Sequence, residues 1–264
     1  MQPVKFLKFL RQFVVLVERN LQLIWNDKLL LASLTLQWPF MVLVVKLTAD
    51  PNCFTSNLVN IGSRTALFIL AAMATFMGTL NSYREICRER EIILREASVG
   101  VSLPAVVLSK AAVLLLVEVL QAAILALGFV SIVHVPQNHL LLETDMEIFI
   151  TVLLTMFTSG ESAILAVLVL MIGQVVFSNI MFTVTGAAAT ISNIIVCRWG
   201  MGALGASTDL NSRMAWLQAG LDGPMYDATV ENLTHSWQML GLISVVCLVA
   251  AWLVLQIAFD KKKV

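Results

Sequence analysis

The sequence predicts an all-α membrane protein with six transmembrane helices, and three observations carry that prediction. The chain of 264 residues is 59% hydrophobic and 13% charged, and its mean hydropathy of +0.87 lies far outside the range of a water-soluble domain. Its apolar residues come in runs of roughly twenty, the length that crosses hydrocarbon as a helix. Its charges collect between those runs, basic in some gaps and acidic in others. The formal net charge is zero, so the overall balance gives no argument for nucleic acid as a partner.

In chain order, residues 4–26 read as an amphipathic helix. Lys5, Lys8, Gln12, Arg19 and Gln22 fall on one side, with Phe6, Phe9, Phe13, Leu16 and Leu23 on or near the other. Such a helix suits the headgroup plane of an anionic leaflet, with lipid as its partner. It keeps its charges at helical spacing, unlike a cleavable signal peptide. The first span covers 29–47 and contains Trp38-Pro39, where a kink is expected. The second covers 65–80 and the third 104–133.

The next apolar stretch reads as two spans, 146–158 and 162–182, turning at Ser159-Gly160-Glu161-Ser162. The first of these is short for a crossing at 1.5 Å per residue. An even number of spans is nevertheless what returns the chain to the side its charges demand. Residues 183–238 then form an outer segment, and the last span, 239–259, stops at Asp260-Lys261-Lys262-Lys263.

Basic residues fix the orientation. Lys5, Lys8, Arg11, Arg19 and Lys28 precede the first span, Arg84, Arg88, Arg90, Arg95 and Lys110 follow the second, and Lys261 to Lys263 follow the last. The positive-inside rule puts all three groups, and with them both termini, in the cytoplasm of a cell with this chain in its plasma (inner) membrane. Glu143, Asp145, Glu147, Asp209, Asp222, Asp227 and Glu231 mark the outer segments.

The densest charge in the chain is the block from Arg84 to Glu91, Arg-Glu-Ile-Cys-Arg-Glu-Arg-Glu, followed by Arg95-Glu96 and Gly100. Residues 84–97 have helical composition, Glu91 stands four before Arg95 in the favourable order, and Ile86, Ile93 and Ala97 form an apolar stripe. A solvated loop that only sets topology would need the charge but not the stripe. The expectation is a helix lying flat beneath the bilayer.

Polar residues inside the spans invite two readings. Glu118 lies about 21 Å along its helix from Pro104, near Gln121, and Gln174, Ser178 and Asn179 fall in the fifth span. Each either lines a wet path or makes a hydrogen bond between helices. Of the cysteines, Cys53 and Cys197 both fall in outer segments, so they form either a disulfide or two free thiols. No CxxC pair occurs, and His134, His139 and Glu143 match no metal spacing, so no metal is expected. Asn232-Leu-Thr234 satisfies the glycosylation sequon on the outer face. No nucleophile–base pair or Gly-rich phosphate cradle is present, which argues against an enzyme.

The run Arg84-Glu85 through Glu89-Arg90, Arg95-Glu96 and Gly100, continuing to Ser109-Lys110, resembles the signature after the second span of type-2 ABC transporter permeases with an ABCG-like membrane domain, in their bacterial form. The amino-terminal helix, the Arg198-Trp199 pair and the basic tail fit the same pattern. Val106 stands where the family often has an aromatic residue. The resemblance implies that Arg84, Glu85, Arg88, Glu89, Arg90, Arg95, Glu96 and Gly100 belong to a coupling helix that rests on an ATPase.

The resemblance further implies a half-permease of an exporter, paired with a second copy or a homologous permease and moving an amphipathic or lipid-like substrate. The chain would have no cofactor of its own. ATP and Mg would be bound by a separate nucleotide-binding subunit. Glu118, Gln121, Gln174 and Asn179 are the candidate path residues. The competing readings are an ion-coupled secondary transporter or channel using Glu118, and a membrane-embedded enzyme or assembly factor.

Overall fold

The computed structural model describes residues 3–55, 61–82, 90–176, 178, 186–214 and 223–263. Its helices are α1 (Pro3–Asn26), α2 (Lys28–Thr48), α3 (Ile61–Ser82), α4 (Arg90–Ser98), α5 (Leu103–Ile132), α6 (Thr144–Val176), α7 (Ala187–Ser192), α8 (Val196–Ser207), α9 (Leu210–Met214) and α10 (Val230–Lys263), with a 3-10 turn at Pro224–Tyr226. No strand occurs among the described residues. Among the described residues four helical segments, Lys28–Thr48, Gly62–Ser82, Leu103–Ile132 and Val230–Asp260, are long and apolar enough to cross a membrane. At 33 residues α6 has a contour length of about 50 Å.

Local chemistry sets the boundaries. Asp27 separates α1 from α2, and its carboxylate accepts from the amides of Leu29 (3.1 Å) and Leu30 (3.0 Å), as an N-cap does. Ser102 caps α5 the same way, with Pro104 in the first turn where a missing amide hydrogen costs nothing. Pro39 inside α2 has no amide hydrogen for the Thr35 carbonyl, yet the helix continues to Thr48.

The centre of the bundle is the α3–α6 pair, its most extensive helix contact. Small residues permit it. Ala71, Ala74, Thr75 and Gly78 of α3 are all buried, and at Gly78 the two backbones meet so closely that an added Cβ would lie 1.9 Å from the Met156 carbonyl oxygen. Van der Waals packing of this kind replaces the hydrophobic effect as the force between helices in lipid. On the outside, α2 exposes Leu29, Leu36, Phe40, Leu43 and Leu47, and α10 exposes Leu242, Val245, Val249, Leu253 and Ile257. Apolar stripes that long on the outside of two helices suit a hydrocarbon solvent.

Two expectations need correction. The stretch read as separate spans 146–158 and 162–182 is helical without interruption from Thr144 to Val176, and Ser159-Gly160 falls inside it because the Ser159 hydroxyl donates to the Thr155 carbonyl (2.7 Å) instead of opening a turn. The helix is not straight, however. Thr155 packs on Gly200 of α8, its Oγ1 2.6 Å from where a Cβ would stand, and the Cys197 amide donates to Gln174 Oε1 at 2.9 Å. Covalent reach through these contacts holds the backbone at 155 and 174 within about 20 Å. A straight helix would separate them by about 28 Å, so α6 bends between them, over an interval that contains the Ser159-Gly160 pair.

The second correction concerns residues 183–238, expected as an outer segment. Within it α8 is buried along nearly its whole length against α3, α6 and α10. Its glycines allow this: Gly200 meets Thr155, Gly202 meets Met225 and Ser236, and Gly205 meets the Tyr226 ring. With 12 residues α8 spans about 18 Å, less than a bilayer core. Arg64 of α3 sits over Tyr226, 5.8 Å from the ring centroid. Burial pushes the Tyr226 phenol above its ordinary range, and the Arg64 guanidinium opposes that rise.

Cys53 and Cys197 are free thiols in the structure, so the disulfide alternative is not formed. Cys197 lies at the start of α8 in hydrogen-bonding contact with Thr75, which is about 21 Å along α3 from Ile61. Cys53 stays in the loop after α2, where burial pushes its thiol up to about 11. Helices converge at two ends. Leu16 and Phe9 of α1, Ile93 and Ala97 of α4, Leu103 and Val106 of α5, and Leu255 and Phe259 of α10 share one cluster. Both ends of the described chain therefore lie at one end of the bundle, and at the other His134 meets the Pro51 carbonyl through its amide (3.0 Å) and through Nδ1 (3.1 Å).

Candidate coupling surface

The charged block opens onto α4. Arg84, Glu85, Arg88 and Glu89 lie outside the described residues, and Arg90 is described as the first residue of the helix only. Ile86 of the expected stripe also lies outside them. Along α4, Ile93, Leu94 and Ala97 are buried, so the described part of the stripe does turn inward. The opposite side presents Ile92 (43% exposed) and Arg95 on α4 and Val99 (84% exposed) in the turn that follows it, at helical spacing, as one ridge.

Gly100 ends α4. Its φ of +102° is a conformation that side chains resist, and its amide donates to the Ala97 carbonyl (3.1 Å) while Val101 donates to the Glu96 carbonyl (3.3 Å). These two bonds make a Schellman cap. An added Cβ would meet no atom within 4 Å, so the need for glycine is conformational. Gly100→Ala is expected to cost about 1–2 kcal/mol in thermal unfolding, from backbone strain alone.

α1 braces this corner. Gln12 donates from Nε2 to the Gly100 carbonyl (3.4 Å) and accepts at Oε1 from the Ser102 amide (3.3 Å). Arg19 pairs with Glu96 at 2.5 Å. Asn20 Nδ2 reaches the Ser109 hydroxyl at 3.4 Å, and Ser109 and Lys110 are both buried. Leu16 is buried between these polar contacts. The sides expected for α1 are thus redistributed: Gln12, Arg19 and Leu16 face the protein together, while Leu7, Leu10, Val14, Leu21 and Trp25 are exposed. Sequence periodicity found the helix but not the third face it needs to pack on α4 and α5.

Glu96 therefore points sideways to Arg19, and Arg95 points outward. The block had suggested the two as equivalent. What a sequence can signal here is spacing, since residues 93, 94 and 97 fix the inward face and leave 92, 95 and 99 on the other.

The residues named for a substrate path are scattered. Glu118 is fully buried on α5, its Oε1 3.2 Å from where a Cβ on Gly160 would lie. Gln121, one turn on, accepts from Asn81 Nδ2 at 2.6 Å and reaches the Leu34 carbonyl from Nε2 at 3.4 Å, tying α5 to α3 and α2. Gln174 accepts from Cys197, and Asn179 lies outside the described residues. Gln121 and Gln174 thus make the interhelical hydrogen bonds that were one of their two readings, each worth about 1 kcal/mol in lipid. Arg198 donates to Ser192 Oγ (3.0 Å) and Asn193 Oδ1 (2.7 Å) and lies over the Trp199 ring. Among the described residues no group of His, Cys, Asp or Glu gathers as a metal site.

A bundle of apolar helices, four of them among the described residues long and apolar enough to cross a membrane, defines a polytopic membrane protein. Residues 11–211 match the family described as ABC-2 type transporter, and the chain belongs to that family as a permease. It is similar to the ABC transporter ATP-binding/permease protein Rv1747 of Mycobacterium tuberculosis, at 28% identity over 222 residues, 76% of this chain. The chain spans 26% of that relative's length. The matched family is the membrane part of such transporters, not the ATPase.

Proposed function

We propose that this chain is the membrane-spanning permease subunit of an ATP-driven exporter, coupled through α4 to a separate nucleotide-binding subunit that binds ATP and Mg. The observation that carries the reading is the α4 corner, where an inward apolar face and a brace from Gln12 and Arg19 of α1 support an outward ridge of Ile92, Arg95 and Val99. A helix held that firmly at its base can pass a push from below into α5, which follows Gly100 directly. The positive-inside pattern puts this end in the cytoplasm, together with both termini. Of the charged block, Arg95 is a docking residue and Glu96 and Gly100 set the helix in place, while for Arg84, Glu85, Arg88, Glu89 and Arg90 a part in the coupling rests on the sequence resemblance.

Two such subunits, identical or homologous, enclose the path for an amphipathic or lipid-like substrate in the plasma membrane. Glu118 favours a packing role over ion coupling because it is buried at the close approach of α5 to Gly160. Purification in mild detergent tests the proposal. A co-purifying chain with a phosphate-loop motif, and transport that depends on its ATP hydrolysis, is the expected result. Transport by this chain without any ATPase would overturn it.

A further inference from the structure

A groove of about 250 Å³ lies between α5 and α6, toward the end of the bundle away from α4. Ala123, Ala126 and Val130 of α5 and Phe149 of α6 wall it, and the rise from Ala123 to Val130 gives it a length of about 10 Å. The small side chains at 123 and 126, three apart on one helix face, leave the hollow. Leu127 and Met146, both exposed, form its lips. Glu143 and Asp145 complete the lining, and both are exposed. They stand where the chain enters α6, so the acids lie at the Val130 end and the apolar walls lead away from them into the span.

The acids of this segment differ in what they already do. Glu147 turns inward, and its Oε1 accepts from the amides of Leu141 (2.8 Å) and Leu142 (3.1 Å). Asp145 sits in the first turn of α6, where the helix dipole favours an acid, and its Oδ1 accepts from Gln137 Nε2 at 2.9 Å. Glu143 receives the Met146 and Glu147 amides at its carbonyl, not at its side chain. Among the described residues neither Glu143 nor Asp145 makes an ion pair. An apolar trough that ends on two uncompensated negative charges is complementary to a cation with an apolar body. A phosphate or carboxylate would be repelled at that end, and a neutral amphiphile would leave the charge unmet. We propose that this groove binds a single-chain cationic amphiphile, its ammonium at the Glu143 and Asp145 end and its chain along α5 over Ala123 and Ala126.

The test needs no ATP and no ATPase, so it stands apart from the transport reading. The full chain is placed in phosphatidylcholine nanodiscs with dodecyltrimethylammonium carrying a photoreactive group in its chain, and in parallel with dodecanol and dodecyl sulfate built on the same chain. The cation is expected to label residues 123–149 at least about five-fold more than either, the ratio that part-screened charge pairs can supply. Glu143→Gln with Asp145→Asn is expected to bring its labelling down to the level of the alcohol. Equal labelling by cation and alcohol would overturn the proposal, because the groove would then be filled by lipid without selection. A preference for the cation that survives both substitutions would overturn it as well. Efficient cross-linking between two copies of a Leu127→Cys variant would do the same, because a second subunit would then cover the groove.

Discussion

Gly78→Ala is expected to be a strongly damaging substitution in the bundle, lowering stability by about 3 kcal/mol. The added carbon would stand 1.9 Å from the Met156 carbonyl oxygen, 2.7 Å from its carbonyl carbon and 2.9 Å from its Cα. All three are backbone atoms, so no side chain can swing aside and the two central helices must move apart. That separation forfeits packing along the whole α3–α6 seam, which includes Thr75, Val152 and Met156. Thermal unfolding in detergent should show a fall near 10 °C for a chain of this size. Gly173→Ala is the control: nothing lies within 4 Å of its added carbon, and a helix-interior glycine replaced by alanine gains up to about 1 kcal/mol.

Arg95→Glu should leave folding untouched and still abolish coupled function. The side chain is exposed on the ridge of α4, and among the described residues it makes no ion pair. Its reversal alters only what the ridge presents. ATP-driven transport is expected to fall at least ten-fold, the effect of losing about 1.4 kcal/mol of docking free energy, with the unfolding temperature within about 2 °C of the parent. Arg19→Gln should behave differently. It removes the part-exposed pair with Glu96, so the loss is less than about 1 kcal/mol of stability, and the docking ridge keeps its charge.

The membrane class and the α4 corner were legible because each rests on short-range information. Hydropathy in runs of twenty needs no tertiary knowledge, and Gly100 after a helical stripe announces a positive φ whatever surrounds it. Glu96 shows the limit, since sequence spacing could not reveal that Arg19, 77 residues away, would claim it.

The failures at α6 and α8 have a common cause. Ser159-Gly160 reads as a turn in isolation, yet hydroxyl-to-carbonyl bonds and small residues let a helix bend through such a pair without opening. Residues 183–238 read as an outer segment, yet within it Gly200, Gly202 and Gly205 each mark a place where another element presses against α8. In lipid, glycine signals close packing as often as a break.

The central claim is that the ridge of Ile92, Arg95 and Val99 is the face the ATPase meets. Val99, 84% exposed, is the position from which to measure it, with a cysteine there carrying a short photoreactive cross-linker in the assembled transporter. The account predicts an adduct between Val99→Cys and the nucleotide-binding subunit, and none from Leu36→Cys on the exposed face of α2. An adduct of equal yield from both positions, or none from position 99 while ATP-driven transport continues, would contradict it.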